Sequence, residues 1–138
     1  MAFWRLYYHI VWATKDRHPL IMPEIESDLH HYISQKINDI GCIPHAIGGI
    51  ENHVHMVVSI PPKMSISEFI KKVKGSSSHF ANQRTAFAWQ RSYGVFSLGA
   101  KQLETAIEYV ENQKSRHQNN DLISWLEFSE EPPDTKDK

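Results

Sequence analysis

A single cysteine, Cys42, stands in 138 residues, so no disulfide can form within the chain, and a reducing cytoplasm is the expected compartment. No apolar run approaches the ~20 residues that a membrane-spanning helix needs. The opening MAFWRLYYHIVWATK has no basic start leading into an apolar stretch and a small-residue cleavage site, so no signal peptide is expected. Internal repeats and low-complexity tracts are absent too. Net charge is scarce at -1, and the strong positive balance usual in nucleic-acid binders is missing. That total hides a polarity. Between Ile60 and Lys101, seven basic residues face Glu68 alone, a local net of +6 that leaves -7 for the remainder. Lys63, Lys71, Lys72, Lys74, Arg84 and Arg91 are therefore candidates for contact with phosphates, against the plainer reading of a solvated helix face.

What is present is globular: 41% hydrophobic and 22% charged residues, enough for one domain with a real core. That domain is expected over residues 1–128, followed by an acidic, flexible tail over 129–138. Aromatic and β-branched residues from Phe3 to Lys15 read as a first strand. A helix from Pro23 carries Ile25, Leu29, Tyr32, Ile33 and Ile37 on one stripe and stops at Gly41. Cys42 to Ile50 and Asn52 to Ile60 read as two further strands, with Gly48-Gly49 marking a turn or bulge between them. After Pro61-Pro62, a helix from about Ser65 to Phe80 places Phe69, Ile70 and Val73 inward. Trp89 to Leu98 reads as a short fourth strand, and Lys101 to His117 as a third helix. The order βαββαβ plus one helix predicts an α+β, ferredoxin-like fold: a four-stranded antiparallel sheet with helices on one face and an added C-terminal helix.

Two stretches carry chemistry. In ENHVHMVV, strand alternation puts His53, His55 and Val57 on one face and Val54, Met56 and Val58 on the other. Two imidazoles one strand repeat apart can converge on a metal ion or a phosphate; the plainer alternative is a pair of half-exposed histidines on an edge strand. On the last helix, Leu103, Ala106, Ile107 and Val110 form the apolar stripe, and Tyr109 lies well off its centre. Gln113, one turn on, shares the Tyr109 flank and offers a carbonyl oxygen that could complete a metal site; His117 follows a turn later.

With ENHVHMVV, the basic helix and YVENQ together, the chain resembles the single-tyrosine HUH transposases, the TnpA type of the IS-two-hundred group of insertion sequences. REP-associated tyrosine transposases are their close relatives. YYHIVWATKDRHPLI resembles the family's opening strand and IEYVENQ the helix bearing its nucleophile, while FIKKVKGSSSHF and FAWQRSYGVFSLG look like the stretches between. The resemblance implies that His53, His55 and Gln113 are metal ligands and that Tyr109 is the catalytic nucleophile. It implies a homodimer in which the tyrosine helix of one subunit completes the site of the other, acting on single-stranded DNA beside small hairpins. One departure is Asp16, where family members often carry an aromatic residue.

A phosphodiester repels nucleophiles, and a divalent cation on two imidazoles and an amide oxygen would offset that charge. Such a mixed set suits Mg²⁺ or Mn²⁺ without excluding Zn²⁺ or Ni²⁺. Attack by Tyr109 would give a 5′-phosphotyrosine and a free 3′-OH, with His117 as a candidate proton acceptor. Two alternatives remain at this point. One is a metal-dependent nuclease using water. The other is a non-catalytic ferredoxin-like RNA-binding module stacking bases on Tyr7, Tyr8 and Trp12, although the RNP1-type pattern is absent from the third strand.

Overall fold

The computed structural model describes residues 3–130. Strands β1 (Tyr7–Ala13), β2 (Ile43–Ile50), β3 (His53–Ser59) and β4 (Gly94–Leu98) form one antiparallel sheet in the order β2-β3-β1-β4. Helices α1 (Pro23–Asp39) and α2 (Ile66–Asn82) cover one face; α3 (Leu103–Glu111) and α4 (Gln113–Gln118) belong to the other. This is the expected ferredoxin-like α+β architecture with its additional C-terminal layer. Among the described residues, no helix is long and apolar enough to cross a membrane.

Local chemistry accounts for the two long helices. α1 begins with Pro23 in its first turn, carries Glu24 and Glu26 there, and buries Ile25, Leu29, Ile33 and Ile37. It is followed by Gly41 at φ 87, a left-handed conformation that glycine adopts without strain. α2 is capped by Ser65, whose hydroxyl accepts the Glu68 N–H at 3.1 Å. Phe69, Ile70 and Val73 of α2 meet Ile10, Trp12, Val54, Met56 and Val58 in the main core. The opposite parity of β1 and β3 is thereby left to the other face, where Val57 packs with Ala46, Leu98, Ala106 and Val110.

The structure departs from the sequence reading in particular places. The helix expected over Lys101 to His117 divides at Asn112 (φ -111, ψ 27). Its side-chain amide donates to the Glu108 carbonyl at 2.8 Å, a local bond that competes with the helical ladder. Gly48 and Gly49 form no turn: both lie inside β2, and the sheet's register shift falls between Pro44 and Ala46. Gly48 is instead where α3 approaches, since a Cβ there would collide with the Val110 carbonyl. The fourth strand starts at Gly94 rather than Trp89, which makes only an isolated bridge to Thr14. The Lys74 ammonium donates to the carbonyls of Gln90, Arg91 and Ser92 at 2.7, 3.2 and 2.9 Å and curls that segment toward α2. A 3-10 turn at Ser124–Glu127 has no counterpart in the sequence reading. Ser129, where a flexible tail was expected to start, is buried and accepts a hydrogen bond from Arg17 at 3.1 Å; residues 131–138 of that tail lie outside the described residues.

Candidate active site

β3 is an interior strand, and all seven of its residues are buried. His53 and His55 are therefore not edge-strand surface residues. They project into the space between the sheet and the layer formed by α3, α4 and the 3-10 turn Ser124–Glu127. Two glycines allow this layer to sit close. Gly48 admits α3, and Gly94 admits the chain after the turn, where a Cβ would collide with the Phe128 carbonyl. Trp125 packs edge-on against Phe96 at 5.1 Å between centroids, and Leu126 is buried, so the strap Ser124–Ser129 is fastened along its length.

The layer brings together what the sequence reading singled out. The rings of His53 and His55 stand 4.9 Å apart, and the Tyr109 ring is 5.9 Å from His55. Gln113 is buried, with Oε1 3.3 Å from His53 Nε2 and 3.1 Å from His117 Nε2. Tyr109, off the apolar stripe, is nonetheless fully buried because the strap covers it. Its hydroxyl donates to Glu127 Oε2 and accepts the Ile123 N–H at 3.2 Å. Arg116 lies over its ring, 4.7 Å from the centroid. Burial, followed by the hydrogen bond to the Glu127 carboxylate, pushes the Tyr109 phenol up to about 12. His117 reaches Gln113 and, at 3.5 Å, Glu127 Oε1; the group on the Tyr109 hydroxyl is Glu127.

Two residues here were missed. Glu127 Oε1 sits 3.3 Å from His55 Nε2 and 3.5 Å from His53 Nε2. No motif announces it: the residue stands alone in ISWLEF, and only the folding back of the strap places it. His9 is fully buried, and its Nε2 is 2.9 Å from His55 Nδ1. It was findable, since alternation along YYHIVWA puts His9 opposite Ile10 and Trp12, on the face of the other histidines.

The donor set fits a cation. His53 Nδ1 lies 2.8 Å from Asn52 Oδ1, an acceptor, and a ring proton on Nδ1 would leave Nε2 with a lone pair for a cation. Nε2 faces two further acceptor oxygens, Gln113 Oε1 and Glu127 Oε1, so three acceptors surround a ring that carries one proton when neutral. Donors bound to one ion at ~2.1 Å stand ~3.0 Å apart at right angles and ~3.4 Å apart in a tetrahedron. His53 Nε2 stands 3.3 Å from Gln113 Oε1 and 3.5 Å from Glu127 Oε1, and His55 Nε2 3.3 Å from Glu127 Oε1, within reach of those edges. The donor atoms of His53, His117 and Glu127 all lie within 4.8 Å of one another. Burial, with His55 beside each of them, lowers His9 and His53 to about 3, so both rings are neutral at pH 7.

The basic residues lie elsewhere. Lys71 and Lys72 are exposed on α2, on the side of the sheet away from the histidines, and Lys72 pairs with Glu68 at 3.2 Å. Arg84 pairs with Asp28 at 2.5 Å. Lys74 is committed to its three carbonyls, and burial lowers its ammonium to about 8. Arg91 lines a cleft of about 860 Å³ together with Lys15 and Arg17. The plain RNA-module reading loses its platform: Trp12 is fully buried under α1 and α2, and α3, α4 and the strap cover the other face.

Comparisons with known proteins give the family and the fold. The family described as "Transposase IS200 like" matches residues 2–113. The chain is 23% identical over 124 residues to the ISDra2 transposase TnpA of Deinococcus radiodurans, covering 82% of this chain and 87% of the relative. It is 29% identical over 126 residues to the transposase for insertion sequence element IS200 of Salmonella typhimurium, covering 80% and 78%. A crystal structure assigned as a transposase from Deinococcus radiodurans superposes with a TM-score of 0.65 at 25% identity, over 81% of this chain and 93% of the other. The structure of a REP-associated tyrosine transposase bound to a REP hairpin shares the fold, with a TM-score of 0.64 at 15% identity over 88% and 76%. The histidine-and-tyrosine layer thus sits in a fold shared with transposases, and by its sequence match this chain belongs to the IS200-like transposase family.

Proposed function

We propose that this DNA transposase cleaves and rejoins single-stranded DNA through Tyr109, with Mg²⁺ or Mn²⁺ held by His53, His55 and Gln113. The supporting observation is the convergence of these four side chains in one buried layer. When bound, the ion would offset the phosphate's negative charge and fix its orientation. The chain's own residues supply the rest. Asn52 fixes the ring of His53, and His9 fixes the ring of His55. The Ile123 N–H and Glu127 Oε2 hold the Tyr109 hydroxyl from both sides, and Glu127 is the acceptor in place for its proton. The Tyr109 oxygen then bonds to phosphorus as the bond from phosphorus to the 3′ oxygen breaks, giving a 5′-phosphotyrosine and a free 3′-OH. Attack by another 3′-OH reverses the step and joins strands without an external energy source.

The functional unit is a single domain that includes the strap through Ser129, and its substrate is DNA with hairpin ends. That substrate is supported by the REP hairpin on the structural neighbour and, on this chain, by the cleft that Lys15, Arg17 and Arg91 line. A homodimer sharing its sites is the arrangement that the resemblance implies. The docking of α3 on its own sheet supports a site that one chain can complete. The products test the reaction. Incubation with labelled single-stranded DNA and Mn²⁺ should leave a free 3′-OH and a 5′ end blocked by protein, and EDTA should stop the reaction. Free 5′ ends would mean that water is the nucleophile; activity in EDTA would remove the metal.

A further inference from the structure

Glu127 Oε2 accepts from the Tyr109 hydroxyl and, at 3.4 Å, from Gln113 Nε2, while its other oxygen points into the donor cluster. We propose that Glu127 is itself a ligand of the ion, so that the site has two imidazoles, one amide oxygen and one carboxylate, the last supplied by the C-terminal strap. This rests on the metal reading above and deepens it. Residues matched by the family end at 113, so Glu127 is not supplied by that match.

Position is the first argument. Oε1 lies 3.3 Å from His55 Nε2 and 3.5 Å from both His53 Nε2 and His117 Nε2, a central place among the donors rather than a peripheral one. Charge is the second. The Glu127 side chain is only 16% exposed, and its partners within ion-pair range among the described residues are all imidazoles. His53 Nε2 also faces Gln113 Oε1 at 3.3 Å, so two acceptor oxygens converge on one ring nitrogen. A carboxylate withdrawn from water needs a compensating charge, and a divalent cation would supply it.

The chemistry of the set is the third argument. Two imidazoles and an amide are all neutral and leave the full charge of an ion in a largely buried site, and imidazole alone favours the softer transition metals. A carboxylate oxygen halves that charge and suits Mg²⁺ and Mn²⁺. The strap is also built to deliver it: Gly94 receives the Phe128 carbonyl, Leu126 is buried, and Arg17 ties Ser129. One carboxylate would then bridge the ion and the Tyr109 hydroxyl, with Oε1 on one and Oε2 on the other.

The test is calorimetric titration of Mn²⁺ into the metal-free full chain, without DNA. Glu127→Gln keeps the shape and can still accept from Tyr109, so a purely structural role would leave Mn²⁺ affinity unchanged. Removal of a ligand should weaken it by at least about tenfold. Glu127→Ala should weaken it similarly, and His53→Ala at least as much. Mn²⁺ binding by Glu127→Gln within about twofold of wild type, with His53→Ala impaired, would overturn the Glu127 assignment and leave the metal reading standing. Unchanged binding in His53→Ala would remove both.

Discussion

Three imidazoles, His53, His55 and His117, face one carboxylate, and a fourth, His9, backs His55; that crowding sets how the protein responds to pH. In the folded, metal-free chain His9 and His53 titrate near 3, against 6.5 for a free histidine, because burial and then the neighbouring His55 disfavour their charged forms. Between pH 6.5 and 3 the unfolded chain therefore binds more protons than the folded one, and stability rises with pH across that window. The contribution is complete above 6.5 and is lost on acidification toward 3, with a slope of up to about 1.4 kcal/mol per pH unit for each ring. Urea midpoints in EDTA at neutral, mildly acidic and strongly acidic pH should show that slope, and His9→Gln should flatten it; a profile already flat in the wild type would contradict neutral buried imidazoles. At this scale the sequence showed the residues with a periodic signature. His53 and His55 share a strand face, and Tyr109 and Gln113 share a helix flank. Glu127 was invisible because nothing local distinguishes it; its role is created by a chain reversal that places residue 127 against residues 53 and 55.

Among the elements, the glycines separate close approach from mere helix content. Gly48→Ala should push α3 from β2, and Gly94→Ala should lift the strap, each costing about 1–3 kcal/mol by overpacking. Gly75, in the interior of α2 with open space where a methyl group would stand, should behave oppositely: Gly75→Ala should stabilise by about 0.4–1 kcal/mol. Thermal melts of the three variants check this, and a stable Gly94→Ala protein would mean that the strap is not tightly docked. The basic helix divides in the same manner. Lys71→Ala with Lys72→Ala should reduce the slope of log affinity against log salt on single-stranded DNA by up to ~0.7 for each phosphate these lysines neutralise. Lys74→Ala should instead lower stability by about 1–2 kcal/mol, since three carbonyls lose their donor. Salt titrations and melts of the two proteins separate the effects; an unchanged slope would mean that Lys71 and Lys72 merely face solvent. The long elements were legible because apolar spacing, Pro23, Ser65 and Gly41 mark α1 and α2 plainly. The break at Asn112 was not, because apolar periodicity continues through Val110 and the competing Asn112–Glu108 bond depends on a rotamer. The placement of Gly48 inside β2 was not either, since a glycine pair reads equally as a turn or as a close approach.

For the whole molecule the question is whose tyrosine serves whose histidines. α3 buries Leu103, Ala106, Ile107 and Val110 against its own sheet, and Tyr109 stands beside His55 of the same chain. Inactive His53→Ala and Tyr109→Phe proteins, mixed and co-refolded, should therefore stay inactive; recovered cleavage would show that the tyrosine helix crosses between subunits, as the family resemblance implies. Beneath that question lies the claim that Tyr109 is the nucleophile at all. It is tested most directly by running 5′-labelled and internally labelled single-stranded DNA, incubated with Mn²⁺ and protein, on a denaturing protein gel. The wild type should carry label into a covalent protein–DNA band that EDTA abolishes. Tyr109→Phe, which keeps the ring and its packing and removes one oxygen, should bind the same DNA and give no such band. A covalent band of wild-type intensity from Tyr109→Phe would contradict the account and move the nucleophile elsewhere, with the half-exposed Tyr93 the next to test.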